Sequence, residues 1–284
     1  MTSLEHAGRP AAWADRPATP AWRAAAAVLG GLVTDSATLA WAELVKVRHD
    51  PLELLTRAIQ PILWLLVFGE VLARSRAIST GPLDYMDYLT PGVLAQSALF
   101  MAIFYGINVI FERDLGIVHK LLVSPASRVA LVLGKAIGGG LRALSQAVIV
   151  YLVAWLVGIH LRLELLPMLG VAATVMLGAA LFSTFSLAIA CIVRSRERFM
   201  GIGQVLTMPL FFASSAIYPI ALMPDWLKVV ATLNPLSYMV DAARTMMIVG
   251  GMSERGLAVD AVVLVGTFAI LLWITARLYP RLAQ

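Results

Sequence analysis

The chain has 284 residues, of which 60% are hydrophobic and only 14% charged, and its mean hydropathy is +0.83. Ordinary soluble domains are about 25% charged, and a soluble fold of this length has too little interior to bury so much apolar surface. The net charge of +5 comes from basic residues scattered between apolar runs, which is how membrane topology is encoded, so we exclude a nucleic-acid partner. The single cysteine, Cys191, excludes an intrachain disulfide and is expected to pack in an apolar run.

Residues 1–33 are predicted to be a flexible cytosolic tail. Prolines and arginines recur through residues 1–23, and no apolar region precedes a cleavage site there, so we expect no signal peptide. Residues 24–33 are apolar but too short to cross a bilayer, which takes about 20 helical residues.

Residues 34–50 are predicted to form an amphipathic helix in the membrane interface. Leu39, Trp41, Leu44 and Val45 follow an approximate helical period, and the charged residues lie mostly on other faces. The alternative is an extended cytosolic start of the first membrane span.

Residues 51–284 are predicted to be one all-α membrane domain with six transmembrane helices. A crossing segment must be helical, because an isolated strand cannot satisfy its backbone hydrogen bonds in hydrocarbon. Pro209 is expected to kink the fifth helix. The predicted spans are residues 58–73, 88–111, 136–159, 165–193, 200–220 and 257–278.

The distribution of lysine and arginine predicts the orientation. If the N-terminus is cytosolic, fifteen of the 22 basic residues fall on the cytosolic side and six on the other, and Arg142 lies within the third span. Cytosolic loops carry the excess of basic residues in membrane proteins. Both termini are therefore predicted to be cytosolic.

Two connections between spans contain predicted helices. Residues 112–128 begin with charges, continue with apolar residues and stop at Ser124-Pro125, which predicts a short amphipathic helix parallel to the membrane. Residues 217–256 are broken by Pro219, Pro224 and Pro235, and they predict two short helices that dip into the outer leaflet.

Motifs for catalysis and for metal binding are missing from the sequence. Gly134-Lys135 lacks the earlier glycine of an ATP-binding P-loop, and the four histidines are dispersed, so neither ATP nor a metal site is predicted in this chain. Acids are nearly absent from the spans, whereas an ion-coupled carrier needs buried acids and a lipid enzyme needs a catalytic pair. The chain is predicted not to be an enzyme.

Four passages together resemble the permease subunits of type-2 ATP-binding-cassette exporters, a class that includes the daunorubicin-resistance permeases. The resemblance covers about residues 40–280, and Ile117-Val118 departs from it where the family often has threonine and a charged residue. The passages are HDP (His49 to Pro51) with Gln60-Pro61, YMDYLTPGVLAQ (Tyr85 to Gln96), ERDLGIVHKLLVSPASRVALVLGK (Glu112 to Lys135) and NPLSYMVDAAR (Asn234 to Arg244).

The resemblance implies that residues 112–126 are a coupling helix seated in a groove of a separate ATPase subunit. The charged residues at its start would contact the ATPase, and the leucines would anchor it. A solvated turn resting on lipid is the alternative. The residues assigned to coupling are Glu112, Arg113, Asp114, Leu115, Gly116, Lys120, Leu121 and Leu122.

The resemblance also implies that NPLSYMVDAAR forms an outer re-entrant hairpin, with Asn234, Pro235, Tyr238, Asp241 and Arg244 as its motif residues. Asn234 is suited to the N-cap and Pro235 to the first helical position. Asp241 and Arg244 are three residues apart and can pair on one helix. Local structure alone therefore explains much of this motif.

The second and fifth spans are expected to line the pathway, since they face the partner subunit in the family. Ordinary helix packing is the alternative for each side chain. Arg142 either snorkels to the cytosolic face or pairs with an acid of residues 112–114. The pathway candidates are Gln96, Phe100, Phe104, Tyr105, Asn108, Gln204, Thr207, Met208, Phe211 and Phe212.

The resemblance thus implies an exporter half in a plasma membrane, by expectation the bacterial inner membrane. It would dimerise with an identical or paralogous permease and recruit two ATPase subunits, which bind ATP and Mg. The cargo would be a hydrophobic or amphiphilic drug, lipid or lipid-linked glycan. The alternatives are a secondary transporter without an ATPase and a membrane-embedded lipid enzyme.

Overall fold

The computed structural model describes residues 59–283 except 77, 124–126 and 194, together with Thr34 and residues 36–38. The predicted tail and most of the predicted interfacial helix lie outside these residues. The described elements are helical apart from one isolated bridge between Leu161 and Ile248, which confirms the all-α class. We number the helices of the described ranges α1 (59–75), α2 (Tyr85–Asp114), α3 (Ile117–Val123), α4 (Arg128–Val157), α5 (Leu165–Ala190), α6 (Arg196–Phe212), α7 (Asp225–Leu233), α8 (Pro235–Met247) and α9 (Leu257–Leu278).

Helix α5 lies at the centre of the bundle and contacts α2, α4, α8 and α9. Small residues permit this close packing. A Cβ atom on Gly139 of α4 would stand 2.2 Å from Ser183 Oγ, and one on Gly106 of α2 would stand 2.3 Å from Ser186 Oγ. The Ser186 hydroxyl also donates a hydrogen bond to the carbonyl of Ile103. Helices in lipid associate mainly through such close contacts, because the apolar solvent gives them little hydrophobic drive.

Within the described residues, four helices are long and apolar enough to cross a membrane, namely α2, α4, α5 and α9 with the turn that follows it. They correspond to the predicted second, third, fourth and sixth spans. Helix α4 begins at Arg128 instead of residue 136, because Ser127 caps it by accepting a hydrogen bond from the Ala130 N–H. Gly158, with φ of 85°, ends the same helix.

The predicted first and fifth spans are helical, and the fifth is shorter than predicted. Helix α6 has 17 residues and ends at Phe212, and the chain then turns through residues 213–219, which were predicted to continue the span. Helix α1 contains a π-helical stretch, Trp64–Gly69. The Trp64 ring packs edge-on against Phe211, with 5.3 Å between the ring centroids. Helices α1 and α6 both pack against α2, so they lie on one side of the bundle.

One end of the bundle, which we call the α3 end, carries the short helix predicted between residues 112 and 128. The predicted position of its start is wrong. Helix α2 continues to Asp114, Gly116 makes the turn with φ of 72°, and α3 begins at Ile117. Glu112, Arg113 and Asp114 therefore belong to the last turn of α2.

The opposite end, which we call the α8 end, carries α7 and α8. The two short helices predicted between residues 217 and 256 are confirmed, and Pro224 and Asn234 are their N-cap residues. This end also contains the connection between α4 and α5, which is joined to the residues after α8 by the Leu161–Ile248 bridge.

A glycine pair tests the close packing. Gly92→Ala in α2 should lower the free energy of unfolding by about 1–3 kcal/mol, the cost of overpacking, because the new Cβ would stand 2.2 Å from the Ala216 carbonyl oxygen. Gly201→Ala in α6, where the new Cβ meets nothing within 4 Å, is the matched control and should be neutral or slightly stabilising. Thermal unfolding in detergent measures both, and equal melting temperatures would contradict this account of the packing.

Candidate functional site

Helix α3 is attached to the bundle by one apolar face. Val118 is fully buried, and Leu121 and Leu122 pack beside it. The cluster that receives them includes Tyr279 and Leu282 from the turn after α9, together with side chains of α4 and α5. Helix α3 therefore packs directly on side chains of the long helices at this end of the bundle.

The other face of α3 is open. Leu115 in the preceding turn is 72% exposed, and His119 and Lys120 are exposed too. Leu121 and Leu122 thus anchor α3 to its own chain, whereas Leu115 has no such role. Among the assigned coupling residues at this end, Leu115 and Lys120 are exposed and therefore accessible to another subunit.

The charged residues at the end of α2 form bonds within the chain. Glu112 accepts a hydrogen bond from Lys135 of α4, and both side chains are largely buried. Asp114 accepts hydrogen bonds from Arg113 and, at 2.7 Å, from Arg196 of α6. These pairs connect α2 to α4 and α6. Sequence reasoning missed Lys135 and Arg196 as partners, because both lie on other helices.

At the α8 end, Asn234 caps α8 as predicted. Its side-chain oxygen accepts a hydrogen bond from the Leu236 N–H at 3.0 Å. Its amide nitrogen donates to the carbonyls of Leu210 and Ala213, at 2.6 and 2.9 Å. Pro235 occupies the first helical position. One side chain thus starts α8 and holds the end of α6.

Asp241 and Arg244 pair as predicted, with 3.7 Å between Nη1 and Oδ1, and both are buried. The Arg244 guanidinium lies 3.8 Å from the Tyr88 ring centroid and donates to the Ser215 carbonyl at 2.6 Å. Asp241 accepts from the Ser253 hydroxyl at 3.1 Å. The pair therefore joins α8 to α2, to the 213–219 turn and to the loop before α9.

Tyr238 completes the outer motif. Its hydroxyl donates to the Thr232 carbonyl at 2.7 Å, and the Arg255 guanidinium lies 4.7 Å from its ring centroid. Asn234, Tyr238, Asp241 and Arg244 are thus held by bonds within the chain, and Pro235 serves as the first helical residue.

The pathway candidates divide by burial. Gln96 and Tyr105 of α2 and Thr207 and Phe211 of α6 are buried, so they pack inside the bundle. Phe100, Phe104 and Asn108 are half-buried. Gln204, Met208 and Phe212 recur every four residues and form an exposed stripe on α6.

A small cavity lies beside the half-buried phenylalanines. Its volume is about 80 Å³, and Gln60 of α1 and Gln146 of α4 line it with Phe100 and Phe104. Gln146 is buried, and neither of its amide atoms has a hydrogen-bond partner in the part of the chain that the structure describes. Sequence reasoning missed Gln146, although an amide one helical turn from Arg142 in an apolar span was a usable signal.

Arg142 is buried, which contradicts the predicted exposure at the cytosolic face, and its guanidinium lies 5.5 Å from the centroid of the Tyr105 ring. Its pairing with an acid of residues 112–114 stays a prediction. Stacking of a guanidinium on an aromatic ring stabilises the charge away from water.

The histidines were predicted to be dispersed, but the fold brings His160 to two aspartates at the α8 end. Asp84, Asp87 and His160 form a group whose side-chain donor atoms all lie within 4.8 Å of one another. The Asp87 carboxylate accepts a hydrogen bond from the His160 ring at 3.0 Å, and this bond raises the pKa of His160.

The known proteins to which this chain is similar are transport permeases, which agrees with its bundle of long apolar helices. The ABC-2 type transporter family matches residues 34–248, which is most of the chain. Daunorubicin resistance ABC transporter permease protein DrrB1 of Streptomyces coeruleorubidus is 25% identical over 247 residues, 86% of each chain. Putative transport permease ycf38 of Cyanophora paradoxa is 27% identical over 205 residues, 70% of this chain and 69% of the relative. Probable multidrug ABC transporter permease YbhR of Escherichia coli K12 is 28% identical over 169 residues, 57% and 44% of the two chains.

The chain belongs to the ABC-2 type transporter family. It is a permease subunit with distant homology to drug-resistance permeases and to ycf38. The membrane component of such transporters usually lacks ATPase activity, and family membership implies an ATPase partner.

The buried pair at the α8 end generates a stability prediction. Arg244→Met should lower the free energy of unfolding by about 3–5 kcal/mol, because it leaves the buried Asp241 carboxylate without its counter-charge. Lys228→Met removes an exposed partner of Asp225 and should cost less than about 1 kcal/mol. Melting temperatures of the two variants in one detergent compare these costs, and equal values would contradict a structural role for the pair.

Proposed function

We propose that this chain is the membrane half of an ATP-driven exporter, and that a separate ATPase drives it through α3. The observation that carries the proposal is the position of α3. It is a short helix with one face built into the core and the other open at the end of the bundle. An element of this kind transmits force, because a partner that displaces the open face also moves the packed one.

The proposed membrane domain has six spans, with α1 and α6 as the first and fifth. A 17-residue helix is about 26 Å long, close to the hydrocarbon thickness of about 30 Å. Exposed apolar side chains on both helices, such as Leu63 and Val205, favour contact with lipid or with another apolar surface. The re-entrant position of α7 and α8 in the outer leaflet belongs to the same proposal.

The proposed orientation places the α3 end and both termini in the cytosol of a cell membrane, by expectation the bacterial inner membrane. Arg113, Lys120, Arg128, Lys135 and Arg196 all lie at the α3 end. This distribution follows the excess of basic residues on the cytosolic side of membrane proteins.

We propose that two permeases associate through α1 and α6 and that two ATPase subunits bind at their α3 ends. Leu63, Val67 and Val71 recur every four residues on α1 and are more than half exposed. Helix α1 approaches α6 where Trp64 contacts Phe211. We propose that the exposed stripes of these two helices offer apolar surface to a second permease, identical or paralogous. ATP and Mg would bind to the ATPase subunits.

The proposed cargo is a hydrophobic or amphiphilic molecule, such as a drug, a lipid or a lipid-linked glycan. Phe100, Phe104 and the α6 stripe offer aromatic, methionine and amide side chains next to the proposed interface. Such side chains adapt to varied apolar molecules. The relatives named for daunorubicin resistance and multidrug transport support the drug class.

Replacing an exposed residue of the α3 end tests the coupling. Leu115→Asp should lower the ATPase activity of the complex with the co-expressed ATPase by about tenfold or more, the loss expected when an interface hot spot is broken. The melting temperature of the permease alone should not change, because Leu115 is 72% exposed.

Met252→Asp is the matched control. Met252 is 77% exposed in the loop before α9, at the opposite end of the bundle. The Met252→Asp variant should still co-purify with the co-expressed ATPase, and the complex should keep its ATPase activity. A Leu115→Asp complex that assembles and hydrolyses ATP like the unmodified one would refute coupling through this surface.

A further inference from the structure

The α8 end holds a group of metal-ligating side chains that the exporter proposal does not use. Asp84 immediately precedes α2, Asp87 lies in its first turn, and His160 belongs to the connection between α4 and α5. The three residues each offer a donor atom, and these atoms lie within 4.8 Å of one another. The group combines two carboxylates with one imidazole, although His160 is 73 residues from Asp87 in the chain.

The fold holds Asp87 and the backbone of His160 in place. The Asp87 side chain is 8% exposed, and its Oδ1 accepts a hydrogen bond from the His160 backbone N–H at 3.1 Å. The His160 carbonyl accepts from the Val249 N–H at 2.9 Å, and the next residue, Leu161, forms the bridge with Ile248. These bonds fix the connection against α2 and against the residues after α8.

The side chains of Asp84 and His160 are exposed, and the His160 ring is bonded to Asp87 at 3.0 Å. The Asp84 side chain makes no capping hydrogen bond although Asp84 is the N-cap residue of α2, and it is exposed. The His160 side chain is 67% exposed. The exposed side chains of Asp84 and His160 can change rotamer beside the buried Asp87 carboxylate, so all three residues can reach one ion.

A cavity gives access to the group. It has a volume of about 260 Å³, and Asp84, Asp87 and His160 line it with Glu70 and Gly158. Glu70 accepts a hydrogen bond from Arg74 at 2.8 Å, so we assign it to the rim of the cavity and not to the ligands.

We infer that Asp84, Asp87 and His160 bind one divalent transition-metal ion, of which Zn²⁺ is the probe. Imidazole favours transition ions over Ca²⁺ and Mg²⁺, and the two carboxylates neutralise the charge of the ion. Zn²⁺ binds such donors at about 2.0–2.2 Å, which in tetrahedral geometry separates them by about 3.4 Å. Movements of the exposed side chains that shorten the widest spacing of 4.8 Å by about 1.4 Å bring the group to that geometry. Water or another small ligand completes the coordination.

The bound ion would tie the start of α2 to the connection between α4 and α5. Because that connection is paired with the residues after α8, one ion would join three parts of the α8 end. An ion that binds only the folded state raises its stability. This inference does not depend on an ATPase, so its failure would leave the exporter proposal untouched.

Isothermal titration calorimetry with ZnCl₂ tests the site on the full chain in detergent, purified through a tag without histidine and stripped with a chelator. The unmodified protein should bind one Zn²⁺ per chain, and saturating Zn²⁺ should raise its melting temperature. Asp84→Asn and His160→Gln should each weaken binding by at least about tenfold, because the loss of outer-sphere partners alone costs about 10- to 100-fold. Both side chains are exposed, so both variants should fold.

Asp225→Asn is the matched control, since Asp225 is an exposed acid on α7 at the same end of the bundle. It should bind Zn²⁺ like the unmodified protein. The inference is overturned if the unmodified chain takes up no Zn²⁺, or if the Asp84 and His160 variants bind it equally well. In either case Asp87 and His160 form an ion pair only.

Discussion

Close backbone contact around α5 is the constraint on which the rest of the structure depends. In lipid there is little hydrophobic driving force between apolar helices. The helices must therefore approach closely enough for dispersion attraction and for hydroxyl–carbonyl hydrogen bonds to stabilise the bundle. Gly106 and Gly139 permit that approach from α2 and α4. With α5 fixed between these helices, α8 and α9 pack against it, and the two ends of the bundle are positioned.

Helix α2 is held at both ends by buried charge, through Glu112 with Lys135 at one end and Arg244 over Tyr88 at the other. Helices α1 and α6 lack comparable buried pairs among the described residues and contact mainly α2. We therefore expect the α2–α4–α5 unit to behave as a rigid body, and α1 and α6 to shift against it when the transporter changes state. Sliding of packed helices is an established mode of such changes.

The site was predictable where its residues act locally. The Asn234 cap and the Asp241–Arg244 pair depend on neighbours within one helical turn, and the sequence predicted both. The partners of Glu112 and Asp114 were not predictable, because Lys135 and Arg196 come from other helices. Because Glu112 is paired with Lys135 of another helix, replacing Glu112 would disturb both folding and coupling. Leu115 is exposed, so a substitution there tests coupling without disturbing the fold.

The sequence by itself determined that the chain crosses a membrane, that it is helical, where most helices lie and how α8 starts. Composition and the length of apolar runs are properties of the sequence, and a capping residue acts on its neighbours within one helical turn. These features can therefore be predicted without knowledge of the tertiary structure. The tertiary structure alone decided that Thr207 and Phe211 face the core while Met208 faces out, and that His160 meets Asp87. The physical reason is that core and lipid are both apolar, so hydropathy does not distinguish the packed face of a span from its exposed one.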